Sequence, residues 1–223
     1  MITPDKITRT KRRTIALIVE RDGRLIVRAP RRASSEDIEK LIAQKEKWIR
    51  SKQELAKETY AAFKPREYVN GEEFLFLGKK HTLEIVERSK PSLTLDETFR
   101  LSRSALPKAP QVFERWYRQQ ALKVFSERVE WYAKQHGYSY AKIRISSAQT
   151  RWGSCSSRGT LSFTWRLVMA PVEVIDYLAV HELVHLKVKN HSKGYWSVVR
   201  SIMPDYQDRS NWLKQNGHLL SLK

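Results

Sequence analysis

His181-Glu182-Leu183-Val184-His185, with His191 close behind, is the stretch around which this sequence is read. The first two histidines stand four positions apart, so on an α-helix both imidazoles project from one face and can share a metal ion. Glu182 is rotated from His181 by about 100°, which takes it off the ligand position but lets it lean over the metal toward a bound water. In this pattern two helical histidines bind zinc and the glutamate serves as general base. Three of the six histidines fall within His181 to His191 beside that glutamate, which favours a metal site over a core helix with hydrogen-bonded histidines.

The flanks support a helix. Pro171 suits a first helical position, and Glu173 and Asp176 place acids in the first turns. Val172, Ile175, Leu178, Ala179, Leu183 and Leu186 form an apolar stripe at helical spacing. The helix is expected to end between Lys187 and Asn190, which allows the chain to bring His191 back to the metal.

A chain of 223 residues with 41% hydrophobic residues and seven tryptophans is a folded globule of one large or two small domains. Its net charge of +18 has two readings: an anionic partner such as nucleic acid, nucleotide or an acidic surface, or a solvated basic surface. Ten of the cations, Lys6 to Arg32, stand in the first 32 residues against Asp5, Glu20 and Asp22. The single cysteine, Cys155, excludes an intramolecular disulfide framework and fits a reducing cytoplasm. There is no apolar signal core before Arg9 to Arg13 and no run of membrane-spanning length, so a soluble cytoplasmic protein without a membrane partner is expected. Oligomeric state leaves no mark in the sequence.

In chain order, Thr14 to Glu20 and Arg24 to Ala29 are strand-like and flank Asp22-Gly23, a hairpin turn. Ser34 or Ser35 caps one amphipathic helix, with Asp37 in a capping box and Ile38, Leu41, Ile42, Trp48 and Ile49 as its stripe. Lys57 to Pro65 reads as a connector, followed by short strands at Glu73 to Leu77, His81 to Val86, Ser92 to Leu95 and Thr98 to Leu101. Leu106-Pro107-Lys108-Ala109-Pro110 is the clearest break. A long helix from Val112 to Gln135 ends at Gly137; a strand at Ile143 to Ser147, a turn-rich Arg151 to Gly159 and a strand from Thr160 to Leu167 lead to the histidine helix. Ser192 then caps a last helix carrying Tyr195, Trp196, Val199 and Ile202. The expected fold is α+β: a β-rich N-terminal subdomain with one helix at residues 1–106, and a zincin-like metallopeptidase domain at 107–223.

These residues resemble a known family. Arg151-Trp152-Gly153-Ser154-Cys155-Ser156, Trp165-Arg166-Leu167 with Pro171, and Asp176-Tyr177 lead into the His181 motif, and Asn190-His191-Ser192-Lys193, Trp196 and Met203-Pro204-Asp205-Tyr206 complete the series. The set is similar to the YgjP-like metallopeptidases, once a family of unknown function, related to SprT-type and minimal gluzincin-like zinc proteases. The N-terminal hairpin, the helix around Trp48-Ile49 and the segment Gly71-Glu72 to Leu77-Gly78 fit the same family. The resemblance implies metal ligands at His181, His185 and His191 and a catalytic acid/base at Glu182. The histidine spacing also matches metzincins, but Val188 stands where they have glycine; Thr164, on a presumed edge strand, stands where many relatives have asparagine.

Three histidines leave zinc an open position for water, as catalysis requires. An oxyanion donor is to be sought among Arg151, Tyr195 and Tyr206, although Tyr195 and Trp196 also read as helix packing. Cys155 reads as a packed turn thiol rather than a fourth ligand, and His81, His136 and His218 as surface or capping residues. The leading expectation is a zinc-dependent peptidase acting on a peptide or protein substrate. Two alternatives stand beside it: a nucleotide pyrophosphatase or phosphohydrolase using the same metal, and a basic nucleic-acid-binding module with a relict metal site.

Overall fold

The computed structural model describes residues 2–20, 23–61 and 66–222, and the chain divides into two compact units, Met1–Pro65 and Arg66–Lys223. Both mix sheet and helix, an α+β arrangement.

In the first unit β1 (Lys6–Thr10), β2 (Ala16–Val19) and β3 (Leu25–Pro30) lie in the order β1-β3-β2. β2 and β3 form the expected antiparallel hairpin, with Gly23 at φ +85°, while Asp22 lies outside the described residues. β1, which the apolar pattern does not announce, runs parallel to β3. The expected capping box opens α1 (Ser35–Gln44): Asp37 N–H donates to Ser34 Oγ at 3.0 Å, and Ser34 N–H to Asp37 Oδ2 at 3.1 Å.

The single helix expected here is two. The chain leaves helical geometry at Lys45 (φ −105°, ψ 12°), whose N–H is shared between the Leu41 and Ile42 carbonyls, before α2 (Glu46–Ala61) begins. The break re-phases the stripe, so that Ile49 is buried and Trp48, expected beside it, is 43% exposed. The connector expected at Lys57 to Pro65 is therefore helical as far as Ala61, and its remainder lies outside the described residues. Leu25, Val27 and Ala29 on one face of β3 pack with Ile38, Ile42 and Ile49 into a small aliphatic core.

The second unit opens with β4 (Glu73–Phe76), β5 (Lys79–Val86), β6 (Leu93–Leu95) and β7 (Phe99–Ser102), in the order β4-β5-β7-β6. The break expected at Leu106 to Pro110 falls inside this unit. It is a 3-10 turn, Arg103–Lys108, that feeds directly into α3 (Ala109–His136). Aromatic packing explains the continuity: Phe74 of β4 and Phe99 of β7 lie 4.3 and 5.3 Å, centroid to centroid, from Phe113 of α3. α3 ends at Gly137 in the left-handed region, φ +63°.

A second sheet, β8 (Lys142–Ser146), β9 (Gly153–Cys155) and β10 (Thr160–Thr164), has the order β8-β10-β9. β10 is thus central, not at the edge where the sequence reading set Thr164; Thr164 is buried and its Oγ1 has no partner. Phe163 of β10 stacks on Phe125 of α3 at 4.1 Å and 9°. A 3-10 turn (Trp165–Met169) then delivers the chain to α4 (Val172–Val184), followed by α5 (Lys193–Ile202) and α6 (Tyr206–Asn216). α4 is wrapped on nearly all sides: every residue from Val174 to Val180 is buried, so the single stripe read from the sequence understates its burial. Among the described residues no helix is long and apolar enough to cross a membrane.

Candidate metal centre

α4 starts after Pro171, which occupies the N-cap with φ −54° and ψ 149°. It is fixed against α3 by a pair of charges. Arg128 donates through Nε and Nη2 to the two carboxylate oxygens of buried Asp176, at 2.5 and 2.6 Å. The fork-on-fork geometry sets both the height and the rotation of the helix. The last turn of α4 carries His181 and Glu182, and His185 follows as its C-cap at φ −62°, ψ −16°. The helix therefore ends earlier than expected, yet His185 keeps helical dihedrals, and the spacing of four still stacks the two imidazoles. Leu186, Lys187 and Val188 donate back to the carbonyls of Leu183 and Val184, turning the chain toward His191. Ser192 caps α5 directly afterwards, its Oγ accepting from Tyr195 N–H at 3.4 Å.

The structure brings the three histidines together. Nε2 of His191 lies 3.1 Å from Nε2 of His185 and 3.2 Å from Nε2 of His181. All three ligand atoms fall within 4.8 Å of one another. Three nitrogens bound tetrahedrally to zinc at about 2.0–2.1 Å stand roughly 3.3 Å apart, so the triad is already spaced for such an ion. The ring of His185 is also presented correctly: its Nδ1–H donates to the Val188 carbonyl at 3.0 Å, which leaves the Nε2 lone pair facing the cluster.

Aromatic side chains form the floor. Tyr195 is fully buried and donates its hydroxyl to the His181 carbonyl at 2.9 Å. Its ring stacks on His185 at 4.6 Å and meets His181 and His191 edge-on. His191, the most exposed of the three, stacks on Trp196, which in turn stacks on Tyr206. Burial, and then the neighbouring His185 and His191, push the His181 pKa down to about 3; burial likewise lowers that of His185. Both rings are held neutral, the form that binds a metal.

Glu182 is buried beside the triad, and its Oε2 has no hydrogen-bond partner. Burial raises its pKa to about 8, with the Arg151 charge acting in the opposite direction. β9 runs over this carboxyl so closely that a Cβ at Gly153 would stand 2.9 Å from Glu182 Cδ. Sequence reasoning missed two features here: the need for glycine at 153 and the Arg128–Asp176 pair. The first had its signal in Trp152-Gly153-Ser154, where a glycine enters a strand and so marks a close backbone approach.

The other residues singled out from the sequence are spread more widely. Cys155 is half-buried with a thiol pKa raised by burial, and it stands outside the histidine cluster. His81 Nδ1 bonds the Glu97 carbonyl at 2.9 Å, His136 stacks on Tyr132 at the end of α3, and His218 is exposed in a 3-10 turn.

Three imidazoles thus converge beside a buried carboxyl, on one helix end and the turn after it, as a group that could hold a metal ion. The chain belongs to the YgjP-like family, whose metallopeptidase-domain model matches residues 13–216. By that membership it is a metal-dependent peptidase. Part of the chain is similar to the solved structure of the metallopeptidase zymogen abylysin from Pyrococcus abyssi, with 21% identity over 41% of this chain and 93% of that one and a TM-score of 0.38. No curated protein sequence matches.

Proposed function

We propose that the chain is a zinc-dependent peptidase in which His181, His185 and His191 hold the metal and Glu182 is the general base. The observation that carries this reading is the trio of Nε2 atoms spaced for one tetrahedral ion next to a carboxyl oxygen without a partner. Zinc held by three histidines keeps a position open, and when bound it supplies Lewis acidity, polarising a carbonyl and lowering the pKa of a water to about 7.

The remaining chemistry belongs to the chain. Glu182 takes the proton of the attacking water on a carboxylate oxygen and returns it to the leaving amine nitrogen. β9 pairs only with β10 among the described strands, so an extended peptide adding to its other edge would pass the Glu182 carboxyl at Gly153. All these groups lie beyond residue 107, in the part of the second unit assigned to the zincin-like catalytic domain. The lone Cys155 fits work in a reducing cytoplasm.

The test uses zinc-loaded protein with casein and nucleoside triphosphates as parallel substrates. Glu182→Gln should keep its zinc and lose about 10²–10⁴ in peptide hydrolysis, whereas alanine at any of the three histidines should lose the zinc on dialysis against a moderate chelator. Hydrolysis by Glu182→Gln within tenfold of the parent would remove Glu182 from the mechanism. Turnover of triphosphates but not casein would move the reaction to phosphoanhydrides.

A further inference from the structure

The sheet of the first unit has a face that the peptidase reading does not use. Alternation along β3 sends Leu25, Val27 and Ala29 into the core, which places Ile26 and Arg28 on the opposite face. The parallel register sets Lys6 beside Ile26 and Thr8 beside Arg28, and Thr10 continues the row. A cleft of about 490 Å³ over this face is lined by Lys6, Arg12, Arg24 and Arg28 and by Thr8 and Thr10; Glu20 is its one acid among the described residues. Arg24 reaches that acid at 3.2 Å. Arg12 is different: its Nε is buried and has no hydrogen-bond partner, a cost that an anionic oxygen would remove.

The structure thus sorts cations that the sequence counts alike. Arg9, on the other face of β1, is bound to the carbonyls of Pro30, Arg31 and Ala33. The cleft residues instead combine guanidinium, ammonium and hydroxyl donors, the set that contacts phosphate oxygens. Lys6 and Thr10 are the two ends of β1, about 13 Å apart at strand rise, a span that a single phosphate group cannot bridge. Among the described residues no aromatic side chain lines the cleft, so it offers no stacking platform for bases.

We propose that this face binds the phosphate backbone of nucleic acid without reading base sequence. The inference is independent of the peptidase assignment. Four cations on four phosphates give a salt slope of about −3.6 on duplex DNA, equivalent to about 150-fold weaker binding from 50 to 200 mM salt. Fluorescence anisotropy of the full chain with a labelled mixed-sequence duplex measures that slope. Arg12→Gln/Arg28→Gln should halve it, leaving about a 12-fold loss over the same range, and Lys6→Gln/Arg28→Gln should do the same. Lys40→Gln/Lys47→Gln, on the two helices, should leave it unchanged. Thermal midpoints and resistance of the first unit to trypsin equal to the parent's show that each variant is folded. No binding at 50 mM salt, or the parent's slope in both cleft variants, overturns the proposal. So does tighter binding to phosphatidylserine vesicles than to DNA, lost in the same variants, which would assign the face to lipid headgroups.

Discussion

Among the described residues, the core of the first unit is made of leucine, valine, alanine and isoleucine, and no ring enters it. The core of the second is built on rings: Phe74, Phe99, Phe113, Tyr117, Phe125, Phe163 and Trp165 are all at or near zero exposure. Aromatic side chains bury more area each, and a larger unit encloses a greater fraction of its surface. The second unit therefore has the margin to bury groups that resist burial: the Glu182 carboxyl, the Asp176 carboxylate with Arg128, and the unpartnered Thr164 hydroxyl. Among its described residues the first unit places no charged side chain in its core, and its cations, apart from the buried Arg12 Nε, stand at the surface. Chemistry that needs a dry, preorganised site lies in the unit that can exclude water, while contact with a charged partner needs only an outer face.

The sharpest way to break this contrast is to open each core in turn. Phe125→Ala removes a ring stacked at 4.1 Å on Phe163, both fully buried. It should cost about 3–5 kcal/mol and abolish metal retention and peptide hydrolysis together. Leu25→Ala should cost about 2–5 kcal/mol, a large share of what so small a core supplies. It should expose the first unit to trypsin at its many lysines and arginines while hydrolysis by the second unit persists. Limited proteolysis followed by a peptide assay reads both. Loss of hydrolysis in Leu25→Ala as complete as in Phe125→Ala would mean that the units do not stand apart energetically.

A smaller effect isolates what the buried carboxyl costs the second unit. With Glu182 raised to about 8 from 4.5, the metal-free native state holds its proton after the unfolded chain has released it. Stability is thus intact below pH 4.5 and declines as pH rises toward 8, because ionisation then favours the unfolded chain. His181 acts in the opposite sense: with its pKa lowered to about 3, it withdraws stability as pH falls from 6.5 toward 3. Metal-free Glu182→Gln should therefore exceed the metal-free parent by about 4 kcal/mol at pH 8 and match it at pH 4. Urea midpoints across that range test it. The same pH dependence in both proteins would mean that Glu182 is not the titrating group.

What the sequence disclosed and what it hid follow the same physical division. Local signals were readable: the Ser34–Asp37 box, the stop at Gly137, the spacing of His181 and His185, and the Ser192 cap each act within a few residues. Non-local ones were not. β1 reads Lys-Ile-Thr-Arg-Thr, without an apolar face of its own, because its place is set by pairing with β3. α6 is mostly polar and is held by buried Tyr206 and Leu213, too sparse a pattern for a stripe. The unit boundary at Pro65 rather than near residue 106 follows from Phe74 and Phe99 meeting Phe113, contacts between distant parts of the chain. Two histidines could be paired from spacing alone, but the glycine against Glu182 needed the sheet to be seen.

The finest test concerns Tyr195, one of three residues the sequence offered as oxyanion donors. Its hydroxyl already donates to the His181 carbonyl at 2.9 Å, and burial raises its pKa, so the proton stays where it is. The ring, in contact with all three imidazoles, is the part that shapes the site. Tyr206, the second candidate, is buried under Trp196. Arg151 remains: it is exposed and close enough to Glu182 for its charge to lower that pKa. Tyr195→Phe keeps the ring and loses one hydrogen bond, worth about 1 kcal/mol of stability. Zinc affinity by chelator competition should follow that small change, and kcat should stay within about threefold of the parent, whereas removal of a true oxyanion donor costs about 10²–10³. Arg151→Ala should then show the larger loss, in kcat rather than in zinc affinity. A hundredfold fall in kcat for Tyr195→Phe with zinc affinity unchanged would return the hydroxyl to the reaction, and the helix carbonyl would be only its resting partner.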